Sequence, residues 1–136
     1  MKEMIWDTHV HLDFIRKPRD VAREAETLGM GLFAMTVTPR DFQAFQPELE
    51  SAANVRVGAG LHPRWIADGR CGAEDLSLMV ELALENRYVG EIGLDASPKH
   101  VPERTLGVQT AAFEKICAAC AEPAIGTLPR SYPSIP

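Results

Sequence analysis

The chain has 136 residues, three cysteines and a formal net charge of −5. With 46% hydrophobic and 24% charged residues it has the make-up of one folded domain, not of a disordered chain or a basic, sequence-independent nucleic-acid binder. Its length excludes a complete (β/α)8 barrel, which takes roughly 250 residues, and no apolar run is long enough for a membrane span, so no membrane association is expected.

The N-terminal stretch MKEMIWDTHVH lacks an apolar signal core, and Cys71, Cys117 and Cys120 form no even-numbered disulfide framework. A reducing cytoplasm is the expected location. In chain order, Met4–His11 reads as a strand with Ile5, Trp6 and Val10 as apolar members. Pro18–Leu28 reads as a helix: Pro18 suits its first turn, Val21, Ala25 and Leu28 keep helical spacing, and Gly29 ends it. Leu32–Val37 is a second strand. Arg40–Ala53 carries a stripe of Phe42, Phe45, Leu49 and Ala52, but Pro47 predicts a break into two short pieces. Val55–Gly60 is a third strand. Ala73–Asn86 is a helix with Leu76, Met79, Val80, Ala83 and Leu84 on its apolar face. Val89–Leu94 is a fourth strand. Arg104–Ala121 is a fourth helix, with Leu106, Phe113, Ile116, Cys117 and Cys120 along one side. The last stretch, Pro123–Pro136, holds four of the ten prolines and reads as an irregular tail. Four consecutive βα units predict an α/β fold, with a parallel sheet and right-handed crossovers over residues 1–122.

In such folds sites are built at the carboxyl ends of the strands, and three motifs fall there. In Asp7-Thr8-His9-Val10-His11, strand alternation puts Asp7, His9 and His11 on one face. Two imidazoles so placed can converge on one divalent ion, with Asp7 as a ligand or as the acceptor that orients a ring. The plainer alternative is a pair of polar residues at a strand end. In Gly90-Glu91-Ile92-Gly93-Leu94-Asp95, Glu91 and Asp95 share a face. A carboxylate on a buried strand needs a cation or an ion-pair partner, so a structural salt bridge is the competing reading. In Gly58-Ala59-Gly60-Leu61-His62-Pro63, His62 follows two small residues. It could touch a substrate phosphate, assist proton transfer, or make only local hydrogen bonds. Arg16, Lys17, Arg19, Arg40, Arg64 and Lys99 lie in or near the loops after strands, as candidates for phosphate contact or as solvated charges. Cys117 and Cys120 sit on the apolar stripe of an Ala-rich helix, which favours core packing over redox or zinc chemistry.

Taken with their order and spacing, DTHVHLD at 7–13, GLHP at 60–63, VGEIGLD at 89–95 and the helix QTAAFEKICAACAE at 109–122 resemble the TatD family of metal-dependent deoxyribonucleases. The likeness covers nearly all of residues 4–122, and the Ser-Pro after GLDA is similar to a TatD-like branch of bacterial antiphage systems. The resemblance implies a TIM-type (β/α)8 metallohydrolase barrel, of which these four units are the N-terminal half. It implies hydrolysis of DNA phosphodiester bonds with divalent ions, of which Mg, Mn and Zn all suit imidazole and carboxylate ligands. His9 and His11 are then expected to bind one metal, Glu91 to bridge two, and His62 to line the substrate site, with Glu91 and His62 as the catalytic pair. Asp7, Asp95 and Arg64 are the supporting or substrate-contacting candidates. The family's later histidine, histidine and aspartate ligands have no counterpart in this sequence, so the two-metal site is expected to be incomplete. The expected partners are DNA and a second copy or other protein closing the half-barrel. Two other readings stand beside this one. One is a catalytically incomplete remnant or interaction module. The other is a different HxH metallohydrolase of the amidohydrolase or phosphoesterase type, against which the GEIGLD motif counts.

Overall fold

The computed structural model describes residues 4–122, so the expected tail at 123–136 lies outside the described residues. The elements are β1 (Ile5–Val10), α1 (Pro18–Thr27), β2 (Met30–Met35), α2 (Pro39–Leu49), β3 (Val55–Gly58), α3 (Pro63–Ala67), α4 (Ala73–Glu85) and α5 (Leu106–Ala121). Short 3-10 turns span Leu12–Phe14 and Glu103–Thr105. The architecture is α/β, with a parallel sheet in the order β1-β2-β3.

Two apolar clusters hold the helices on the sheet. Leu12, Ala22, Ala25, Leu32, Ala34, Phe45, Leu49 and Val55 pack α1 and α2 against the strands. Phe42, Leu61, Cys71, Met79, Leu82, Ile116 and Ala119 join α2, α4 and α5. Leu12, Leu61, Met79 and Ile116 are almost wholly buried, and each such side chain contributes roughly 1.5–3 kcal/mol of transfer free energy. Asn54 stitches the first layer: its side-chain amide donates to Ala22 O and Met30 O, and its backbone carbonyl accepts from Leu32 N–H.

Three expectations are corrected and one element is added. The helix at Pro39–Leu49 is continuous through Pro47. Pro47 stands in the last turn, so the one bond that its missing N–H removes lies near the helix end, which follows two residues later at Leu49. Thr38 starts that helix firmly, its hydroxyl accepting Asp41 N–H at 3.0 Å and donating to Asp41 Oδ2 at 2.6 Å. Residues 89–94 do not form a full strand. They join the sheet through one parallel bridge, Ala59 to Val89, and three backbone bonds: Ala59 N–H to Tyr88 O, Gly90 N–H to Ala59 O and Leu61 N–H to Glu91 O. Gly93, at φ 148°, then takes the chain out of the extended conformation. A short helix, α3, occupies the connection after His62, with Pro63 at its first position. Finally, the buried face of α5 is Gln109, Ala112, Ile116 and Ala119, which leaves Cys117 half-buried and Cys120 exposed. The apolar stripe misplaced this face because a polar residue, Gln109, begins it.

Two glycines allow the close approaches that bring the motifs together. A Cβ on Gly58 would stand 2.8 Å from the Gly90 backbone. A Cβ on Gly60 would collide with Thr36 O and stand 3.0 Å from Glu91 O. Only glycine lets the 58–60 stretch run between β2 and the 89–91 segment.

Candidate metal centre

β1 and the 89–91 segment lie at opposite edges of the sheet, three inter-strand steps apart, or about 14 Å on a flat sheet. Their side chains nevertheless meet. His11 Nε2 stands 3.1 Å from Glu91 Oε2, and His9 Nε2 stands 3.7 Å from the same oxygen. The sheet therefore curls, as twisted parallel strands do in a barrel.

Local distortion aims the histidines. Asp7 pairs with Leu32 and Val10 with Ala34, so β1 spends three residues where β2 spends two. This bulge breaks the strict alternation expected of residues 7, 9 and 11. Asp7 Oδ1 accepts the His9 backbone N–H at 3.0 Å. Asp7 thus holds the distorted backbone of His9 and does not join the cluster of converging donors.

His11 bridges to the end of β2: its Nδ1 lies 3.0 Å from Met35 O. A carbonyl only accepts, so Nδ1 carries the proton, and in the neutral ring Nε2 presents a lone pair. Metal-binding imidazoles are ordinarily oriented in this way. Phe14 stacks on the ring, with centroids 5.3 Å apart. Asp13 Oδ1 lies 4.0 Å from His11 Nδ1. Burial pushes the Asp13 carboxyl above the usual carboxylate range, against the opposing pull of His11. Sequence reasoning quoted Asp13 within its motif and gave it no role.

His9 Nε2 lies 3.2 Å from His11 Nε2. One ligand atom each from His9, His11 and Glu91 falls within 4.8 Å of the others. Glu91 Oε2 is buried and has no hydrogen-bond donor among the described residues. The nearby His11 Nε2 brings a lone pair, not a proton. Lone pairs of oxygen and nitrogen converging in a partly buried space repel one another unless a cation lies between them. The donor set fits a divalent ion. Glu91 Oε1 faces His62 Nε2 at 3.3 Å.

The remaining candidates are dispersed. Asp95 sits in a loop held by Gln109, whose Oε1 accepts Asp95 N–H at 2.8 Å and whose Nε2 donates to Asp95 O at 3.1 Å. The Asp95 carboxylate accepts Ser97 N–H at 2.8 Å, so it shapes the loop after Glu91 and stays outside the cluster. Gln109 is completely buried. Sequence reasoning missed its role because an amide that serves a backbone leaves no spacing signal. Arg64 is exposed on the first turn of α3. Arg40 pairs with Asp75 at 3.1 Å and with Glu74 at 3.7 Å, and Arg19 donates to Glu48 O at 3.0 Å. Those two cations tie elements together. Lys99 and His100 are exposed in the loop before α5.

A curled parallel sheet with imidazoles and a carboxylate gathered on one rim defines a βα protein with a metal-type donor set at its strand ends. A family model described as TatD related DNase matches residues 6–124, and the chain belongs to that family. Among solved structures, the TatD homologue YjjV from Escherichia coli K12 is similar in fold, with a TM-score of 0.67 and 22% sequence identity. The match covers 85% of this chain and 46% of that one, so the chain spans about half the length of its structural relative. The fold is thus that of part of a TatD-type TIM barrel. No curated protein matches. Among the described residues no helix is long and apolar enough to cross a membrane.

Proposed function

We propose that this chain contributes a divalent-metal site for the hydrolysis of phosphodiester bonds in DNA, with His9, His11 and Glu91 as metal ligands. Membership of the TatD family supports the reaction class. The observation that carries the site is Glu91 Oε2, a buried carboxylate oxygen with no donor, lying 3.1 Å from an imidazole lone pair. A bound divalent ion would supply an activated water and charge stabilisation for a phosphoryl group. The protein residues do the rest. The His11–Met35 contact fixes one ring, the β1 bulge turns His9 toward it, and the bonds at 88–91 carry Glu91 to the same point. With a net charge of −5, attraction to DNA must come from the ion and from local cations such as Arg64 and Lys99.

The proposal is tested by titrating Mn2+ into the wild-type chain and Glu91→Ala, and by following cleavage of a short DNA duplex. Wild-type protein is expected to bind Mn2+. In Glu91→Ala the affinity is expected to fall beyond the roughly 10–100-fold loss caused by removing a supporting contact, and cleavage is expected to vanish. Equal Mn2+ affinity in both proteins would refute the site.

A second reading, an interaction module completed by a second copy or a partner, is supported by the exposure of Ile5, Trp6 and Phe14 on and after β1. Light scattering separates the two: a monomer that cleaves DNA removes the need for a partner, and an inactive dimer favours the module.

A further inference from the structure

His62 is engaged at both ring nitrogens. Its Nδ1 accepts the backbone N–H of Arg64 at 3.1 Å, which makes the imidazole the N-cap of α3. A backbone amide only donates, so Nδ1 holds the lone pair and the neutral ring carries its proton on Nε2. That Nε2 stands 3.3 Å from Glu91 Oε1, which accepts. The ring is braced by Trp65, with centroids 5.2 Å apart, and the His62 N–H is tied to Val37 O at 2.9 Å.

His11 has the opposite polarity, with its proton on Nδ1 facing Met35 O and a lone pair on Nε2 beside Glu91 Oε2. The two imidazoles therefore treat the two carboxylate oxygens differently. We propose that His62 is a positioning residue for Glu91: a neutral Nε2–H donor, locked in that tautomer by the start of α3, which pins Oε1 and leaves Oε2 to face the cation. This assignment rests on the metal reading above and gives His62 a task other than proton transfer or phosphate contact. It also explains why a short helix begins at this point. The Pro63 turn presents the Arg64 N–H that fixes the tautomer.

Two substitutions separate the two jobs of the ring. His62→Asn keeps a good N-cap acceptor but is too short to reach Glu91. His62→Gln is long enough to return an N–H to the position of Nε2. Calorimetric titration with Mn2+ is expected to show roughly 10–100-fold weaker binding in His62→Asn and near wild-type binding in His62→Gln. The thermal midpoint of metal-free His62→Asn should stay close to wild type. Side-chain 15N spectra of the metal-free wild-type chain should show an Nε2–H tautomer for His62 and an Nδ1–H tautomer for His11. Wild-type affinity in His62→Asn, a His62→Gln protein no tighter than His62→Asn, or a His62 protonated on Nδ1 would each overturn the proposal. Failure of the wild-type chain to bind Mn2+ would instead overturn the metal reading. The spectra, recorded without metal, would then still decide the His62–Glu91 contact.

Discussion

The middle of the sheet and its two flanks are built on different terms. In the middle, Leu32, Ala34, Val55 and Ala59 are buried under α1, α2 and α4, and β2 pairs with β3 in unbroken register. On the flanks, β1 is exposed at Ile5 (71%) and carries a bulge, and the 89–91 segment holds on by one bridge and a few backbone bonds. All three proposed metal ligands come from the flanks. The apolar middle supplies the buried core, and the flanks, whose ligand residues are only partly buried, can hold acceptors that a core would reject. Stability and chemistry are thus separable by substitution, and each variant below tests that division.

Gly60→Ala strikes both regions, because its Cβ would collide with Thr36 O in the middle and crowd Glu91 O on the flank. Backbone cannot yield as a side-chain tip does, so a loss at or above the roughly 1–3 kcal/mol of overpacking is expected, together with weaker Mn2+ binding. Urea unfolding measures the first and calorimetry the second. Gly107→Ala is the control. Its Cβ meets nothing within 4 Å and it lies in α5, so a small gain in stability is expected. Equal urea midpoints for the two variants would remove the packing argument for Gly60.

Gln109→Leu should act mainly on one flank. The leucine keeps the volume of the buried side chain but leaves Asp95 N–H and O without partners. Leaving buried polar groups unpaired costs roughly 1–3 kcal/mol. Faster amide exchange confined to residues 93–97 is the expected signature. Uniformly faster exchange would mean that Gln109 serves the core and not the loop.

The alternation of elements was legible because each helix carries an apolar stripe and each buried strand an apolar run. α1 and α4 start at Pro18 and Ala73 as their first-turn residues indicate. His9, His11, His62 and Glu91 were legible as strand-end polar residues, and the structure brings all four within contact of one another's neighbours. What escaped depends on the third dimension. The bulge at Thr8–His9 leaves the residue pattern unchanged while it redirects Asp7. The fourth strand had the right composition, but only pairing decides whether an extended run becomes a ladder, and here pairing stops at Glu91. The tautomers of His11 and His62 follow from Met35 O and Arg64 N–H, one of them 24 residues distant in sequence.

A last effect concerns the middle. Cys71 is buried in the cluster that joins α2, α4 and α5, and burial, with Asp75 nearby, pushes its thiol from 9.0 to about 11. The unfolded chain ionises this thiol near 9.0 while the folded chain still holds the proton. The contribution of Cys71 to stability is therefore fully present below pH 9.0 and is lost as the pH rises through about 11. Urea midpoints measured from pH 8 to pH 11 should fall more steeply for wild type than for Cys71→Ala. The same burial predicts an order of reaction with a thiol-specific alkylating agent: exposed Cys120 first, half-buried Cys117 next, and Cys71 only on unfolding. A Cys71 that is alkylated as fast as Cys120 in the folded chain would show that the middle opens as readily as the flanks, and the division between them would fail.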